Sequence, residues 1–107
     1  QEQAAKCLPF VRSRCILGCY AQTEMGHGSN VRGLETTATY DPESKEWVIN
    51  SPTLSSTKWW PGGLGLSANF AAVYARAISN GVDHGVFPFL VQLRSLETHL
   101  PLPGITL

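Results

Sequence analysis

Ser67 to Ser79, SANFAAVYARAIS, is the stretch on which the fold turns. Its alanines are strong helix formers, and Phe70, Val73, Tyr74, Ala77 and Ile78 recur at helical spacing. Phe70, Ala72, Tyr74 and Ile78 also fall on one side of an extended chain, where side chains alternate. Taken by itself, the composition of 68–79 favours a helix. Its neighbour pulls the other way: Asn80-Gly81 is a tight-turn signal, and VFPFLVQLRS (86–95) after it alternates Phe87, Phe89, Val91 and Leu93 on one face. If 68–79 is the hairpin partner of that strand, it must be a strand as well.

Working outward, LETTATY (34–40) and EWVIN (46–50) are β-rich runs separated by Asp41-Pro42-Glu43-Ser44-Lys45, the residues of a hairpin turn. CILGCYAQ (15–22) suits a strand, and residues 1–8 suit a helical turn or two that Pro9 interrupts. Residues 51–65 form a long polar connection around two tryptophans, a length more often functional than decorative. No repeat, linker or low-complexity tract divides the chain, so 1–107 is expected to be one domain. QEQAAK opens in helix-like sequence and PLPGITL stops on a strand-like run. Both ends have the look of cuts, and a fragment of a longer protein is expected.

The 107 residues are 43% hydrophobic and carry eight basic against eight acidic side chains. That balance argues against nucleic acid, which is held by clustered positive charge. No run approaches the ~20 apolar residues of a membrane span. Cys7, Cys15 and Cys19 are odd in number and crowded near one end, a poor disulfide framework that suits a reducing compartment. Their spacing, and that of His27, His84 and His99, lacks zinc-ligand regularity, so no metal is expected.

Two loops carry the chemistry: YAQTEMGHGSN (20–30) and KWWPGGLG (58–65). Gly26-His27-Gly28 fails as a dinucleotide fingerprint, because Val31 stands where the third glycine belongs and strand-like residues follow. Ser29, Ser51, Ser55 and Ser56 lie in no nucleophile motif, and Glu24 suits an acceptor of backbone N–H groups better than a catalytic base. What remains is recognition. The Thr23 hydroxyl, glycine-exposed backbone and the flat faces of Trp59 and Trp60 suit a planar, hydrogen-bonding ring such as a flavin. The bland alternative is one core tryptophan and one exposed by accident.

At these residues the chain resembles the acyl-CoA oxidases, in the acyl-CoA dehydrogenase superfamily. GCYAQTEMGHGSNVRGLETTATYD (18–41), INSPTLSSTKWWPGGLG (49–65) and LPLPGIT (100–106) are similar to that family's central domain, in the same order and spacing. The resemblance implies a mainly β fold, an antiparallel β-barrel with a short N-terminal helical stub. Residues 1–14 lead in from an N-terminal helical domain, a C-terminal helical region follows, and 68–79 is a strand. It implies FAD as cofactor, with Thr23 hydrogen-bonded to the flavin, Gly28 and Ser29 beside it, Trp60 packed by the ring and Gly62 in contact. Ser29 also lies by the CoA of the substrate. The implied reaction turns a fatty acyl-CoA into a trans-2-enoyl-CoA while oxygen becomes hydrogen peroxide, in a peroxisomal homodimer. The base is a glutamate of the absent C-terminal region, so no catalytic residue is expected here. Leu66 departs from the pattern, since the family usually has a basic residue there. The alternatives are an acyl-CoA dehydrogenase serving an electron-transfer flavoprotein and a non-catalytic standalone homologue acting as an interaction module. W-W-P-G-G in place of a W-I-T-N-G-like run favours the oxidase.

Overall fold

A computed structural model describes residues 1–107, as α1 (Glu2–Arg12), β1 (Gly18–Ala21), a 3-10 turn (Val31–Gly33), β2 (Thr37–Asp41), β3 (Glu46–Asn50), β4 (Phe70–Ser79) and β5 (Val82–Gln92). The deciding stretch is a strand, against the helix its composition favours. Ala71, Val73, Ala75 and Ala77 are buried while the residues between them are half-buried, a strict period of two. The buried face is thus the one opposite Phe70, Ala72, Tyr74 and Ile78. Alanine carries little strand preference of its own, but β4 lies between β5 on one edge and both β1 and β2 on the other, and tertiary pairing overrides propensity. Asn80 (φ 51°) and Gly81 (φ 73°) supply the two left-handed residues of a tight hairpin turn.

The second expected hairpin is also present. β2 and β3 pair antiparallel, and Asp41 ties the turn by accepting from Glu43 N and Ser44 Oγ at 3.0 and 2.8 Å. The helix corrects one expectation: α1 runs through Pro9 to Arg12. Proline removes one N–H, yet Ser13 N still bonds Pro9 O at 3.0 Å, and no residue of α1 is buried, so little opposes the continuation.

The mainly β fold with an N-terminal helix is as expected; the all-antiparallel barrel is not. β4 pairs antiparallel with β5 but parallel with β1 and β2, and no backbone pairing closes the sheet. The hairpins are antiparallel because short turns join them, whereas β1 and β2 reach the edge of β4 through long connections that let them run in its direction. The sheet nevertheless curls. Trp47 on β3 meets Phe89 on β5 with ring centroids 5.2 Å apart, and Tyr40 adds a second tilted contact to Trp47. Opposite edges thus meet through side chains around an open trough of about 1350 Å³. Ala21, Ala71, Val73 and Leu93 form the small core at its floor.

β5 tolerates Pro88 because its partner Tyr74 turns its carbonyl to the other edge of β4. Beyond it, Arg76 pairs with Val86 but Ile78 with Asp83, an extra residue accommodated near Gly85 at φ 91°. Two buried polar side chains fasten the ends. Arg94 donates to the carbonyls of Ala68, Leu64 and His99 at 3.2 Å each. Asn69 accepts from Leu17 N at 2.8 Å and donates to Cys15 O at 2.9 Å. Replacing Asn69 with Leu strands those two backbone groups, and urea denaturation is expected to show a loss of about 1–3 kcal/mol. An unchanged midpoint would mean that segment 15–17 is held by other contacts.

Candidate functional site

Along one edge of β4 there is a gap. β1 stops at the pair Ala21↔Val73 and β2 begins at Thr37↔Arg76, so the edge of β4 between them has no strand beside it. Backbone groups in such a gap need partners. Lys58 and Glu24 supply them. The Lys58 ammonium donates to Tyr74 O at 2.7 Å, Gln22 O at 2.9 Å and Glu24 Oε1 at 3.3 Å, which occupies its three N–H bonds. The Glu24 carboxylate accepts from Glu35 N and Thr36 N, each at 2.8 Å, on the approach to β2. Glu24 is 1% exposed. Burial opposes its ionisation, but the hydrogen bonds from Glu35 and Thr36 and the Lys58 charge outweigh that and hold its carboxyl below the ordinary value. Burial lowers the Lys58 ammonium, and Glu24 partly offsets it. The structural-acceptor role expected of Glu24 is what the geometry contains.

The pair also joins the two motif loops. Glu24 and Lys58 form an antiparallel bridge, and around it Trp59 N donates to Thr23 O, Met25 N to Thr57 O and Gly26 N to Ser55 O, each at 2.9 Å. Gly26 is required here, because a Cβ would come within 2.8 Å of the Ser55 Cβ. Beneath the crossing, Thr36 Oγ1 donates to Ser56 O, and Ser56, fully buried, donates to Thr53 O.

Thr23 and Trp60 thus lie next to this crossing in the chain, Thr23 before Glu24 and Trp60 after Trp59. Thr23 is half-buried, and its carbonyl rather than its hydroxyl is engaged by Trp59. Trp60 is 82% exposed and has φ 44°, a left-handed conformation that is rare for a bulky residue and further disfavoured before Pro61. Strained backbone of this kind clusters at functional sites. Neither tryptophan is core, which removes the bland alternative. Gly28, Ser29 and Gly62 are exposed, and a Cβ at Gly28 or Gly62 would meet nothing within 4 Å. None of the five lines the trough. The Thr23 hydroxyl has no hydrogen-bond partner, and the glycine backbone and the Trp60 indole are exposed.

Lys58 is the residue that sequence reasoning missed; its only signal was adjacency to the tryptophans. The structure also gathers Glu24, His27 and Glu35 with ligand atoms within 4.8 Å of one another, although their spacing gave no sign of it. Both Glu24 oxygens already accept N–H groups, and Glu35 accepts the hydroxyls of Thr53 and Ser55, so the cluster is a hydrogen-bonded brace.

No family model matches the chain. It is 60% identical over 106 residues to peroxisomal acyl-coenzyme A oxidase 1 of Arabidopsis thaliana, covering 99% of this chain and 16% of that protein. The human protein of the same name is 60% identical over 91 residues, 85% of this chain and 14% of the relative. The crystal structure of a tomato acyl-CoA oxidase superposes with a TM-score of 0.96 at 63% identity, over 99% of this chain and 16% of that one. An acyl-CoA oxidase-2 structure from Caenorhabditis elegans, bound with FAD, ascaroside-CoA and ATP, gives 0.95 at 54% identity, over 99% and 16%. The chain thus spans about 16% of the length of the curated plant relatives it matches.

Acid should weaken the crossing. A folded-state carboxyl held below its ordinary 4.5 contributes stability that is complete above that pH and is lost as pH falls through the lower folded value. Glu24→Gln is therefore expected to cost about 3–5 kcal/mol at pH 7, the usual effect of breaking a buried pair from one side. In urea titrations the gap to the wild type should narrow below pH 4.5. A gap independent of pH would mean that the Glu24 charge does not hold the crossing together.

Proposed function

We propose, from the premise that the chain belongs to the acyl-CoA oxidase family, that it supplies one wall of an FAD site in a fatty acyl-CoA oxidase. The observation that carries this reading is the crossing of the two motif loops, which has Thr23 and the strained Trp60 next to it in the chain while their recognition groups stay outside the internal network. Thr23 offers its hydroxyl and amide to the polar edge of the flavin. Trp60 packs against the ring, Gly62 lets the backbone approach it, and Gly28 and Ser29 border both the flavin and the CoA of the substrate. FAD, when bound, takes up the hydride removed from the acyl chain. Donors aimed at the ring favour the negative charge that arrives with it, and the indole excludes water from one side.

In the whole protein the substrate is a fatty acyl-CoA, the product a trans-2-enoyl-CoA, and oxygen the final electron acceptor, released as hydrogen peroxide. The compartment is the peroxisome, and the assembly a homodimer. The 107 residues form the middle domain, with 1–14 leading in from a helical domain, and further chain completes the curled sheet as a barrel. The base belongs to that further chain. Glu24 is excluded from the role because its oxygens face Glu35 N, Thr36 N and Lys58.

Fluorescence titration of the apo full-length protein with FAD tests the reading. Thr23→Val is expected to weaken binding by about 1–3 kcal/mol, the cost of a lost buried polar partner. Trp60→Ala should weaken it as well and change the flavin absorption spectrum. Unchanged FAD affinity and spectrum in both variants would remove these loops from the cofactor site.

A further inference from the structure

Lys58 stands apart from the other basic side chains. Its ammonium is half-buried, has three protein acceptors, and comes from the residue directly before Trp59-Trp60. The three acceptors come from two parts of the molecule: Gln22 and Glu24 on either side of Thr23 in the threonine loop, and Tyr74 in the middle of β4. One side chain therefore ties the threonine loop, the tryptophan loop and the sheet together at a single atom. The buried Arg94 fastens the far end of the glycine turn through Leu64 O, but it bridges only loop carbonyls and meets neither motif threonine nor tryptophan.

We propose that Lys58 is a positioning residue for the flavin site: it sets the distance between Thr23 and Trp60, and so the fit of the ring between them, by anchoring both loops to the gap in the sheet. This rests on the flavin reading above. Lysine suits the task because an ammonium presents three donors around a point, matching three converging acceptors. A guanidinium is planar and longer, and its fork cannot address the same three directions from one atom. Loss of the ammonium strands the Gln22 and Tyr74 carbonyls and leaves the Glu24 carboxylate buried without its counter-charge. The loops can then shift relative to each other, and a supporting shell that lets a site loosen by about 1 Å is enough to spoil ligand fit.

The test compares Lys58→Met with Leu93→Ala in the apo full-length protein. Leu93→Ala truncates the small core without removing any partner of Lys58 and controls for general loss of stability. At temperatures chosen for equal stability, Lys58→Met is expected to weaken FAD binding about tenfold or more and to alter the bound flavin's absorption bands, whereas Leu93→Ala keeps the wild-type spectrum and an affinity within about twofold. Lys58→Arg should fail to restore either readout. Lys58→Gln, which keeps an N–H donor without the charge, serves in the same comparison if the methionine variant does not fold. Equal affinity and identical spectra in the lysine and leucine variants at matched stability would overturn the proposal. A wild-type protein that binds no FAD would instead overturn the flavin reading, and amide hydrogen exchange then decides for Lys58. Exchange at Trp59 N about tenfold faster in Lys58→Met than in Leu93→Ala supports loop positioning, and equal exchange refutes it.

Discussion

The ion pair between Glu24 and Lys58 occupies a place where the sheet has no strand. β1 leaves the edge of β4 after Ala21 and β2 joins it at Thr37, and between them the edge of β4 has no strand partner. The carboxylate takes the donors at the entrance to β2, and the ammonium takes the acceptors from β4 and the end of β1. Two side chains thus do what a continuous strand does elsewhere. A buried ion pair is ordinarily weak evidence for stability, because desolvation cancels much of the attraction. Here the charges are matched to several backbone groups apiece, and removing either would leave those groups as well as its partner unsatisfied.

That constraint also sets where the two motif loops meet. The gap forces the loops 22–28 and 55–60 to cross over the sheet edge, and the crossing turns Trp60 outward in a left-handed conformation that the chain would not adopt unaided. The apolar trough lies on the concave side, floored by small residues and flanked by Trp47 and Phe89. The recognition groups lie outside it. Trp60 and the glycines of both motif loops are exposed, in a segment covering 16% of its relatives' length.

The tight hairpin turns were legible because their chemistry is local. Asn80-Gly81 needs positive φ at both positions, and Asp41 closes its turn with its own side chain. The role of Glu24 as a structural acceptor was legible from residue types alone. Less was legible where distant segments decide. The course of α1 through Pro9, the parallel pairing of β1 and β2 with β4, and the convergence of Glu24, His27 and Glu35 all depend on which segments become neighbours.

Sequence by itself determined the β-rich composition of the second half and the positions of both tight turns. Local composition misread Phe70–Ser79, which only its hairpin partner and the family resemblance made a strand, because alanines with helical preference become extended when both edges offer backbone partners. Tertiary structure alone decided the role of Lys58. A lysine beside two tryptophans carries no local signal, and only the gap in the edge of β4 brings three acceptors to its ammonium.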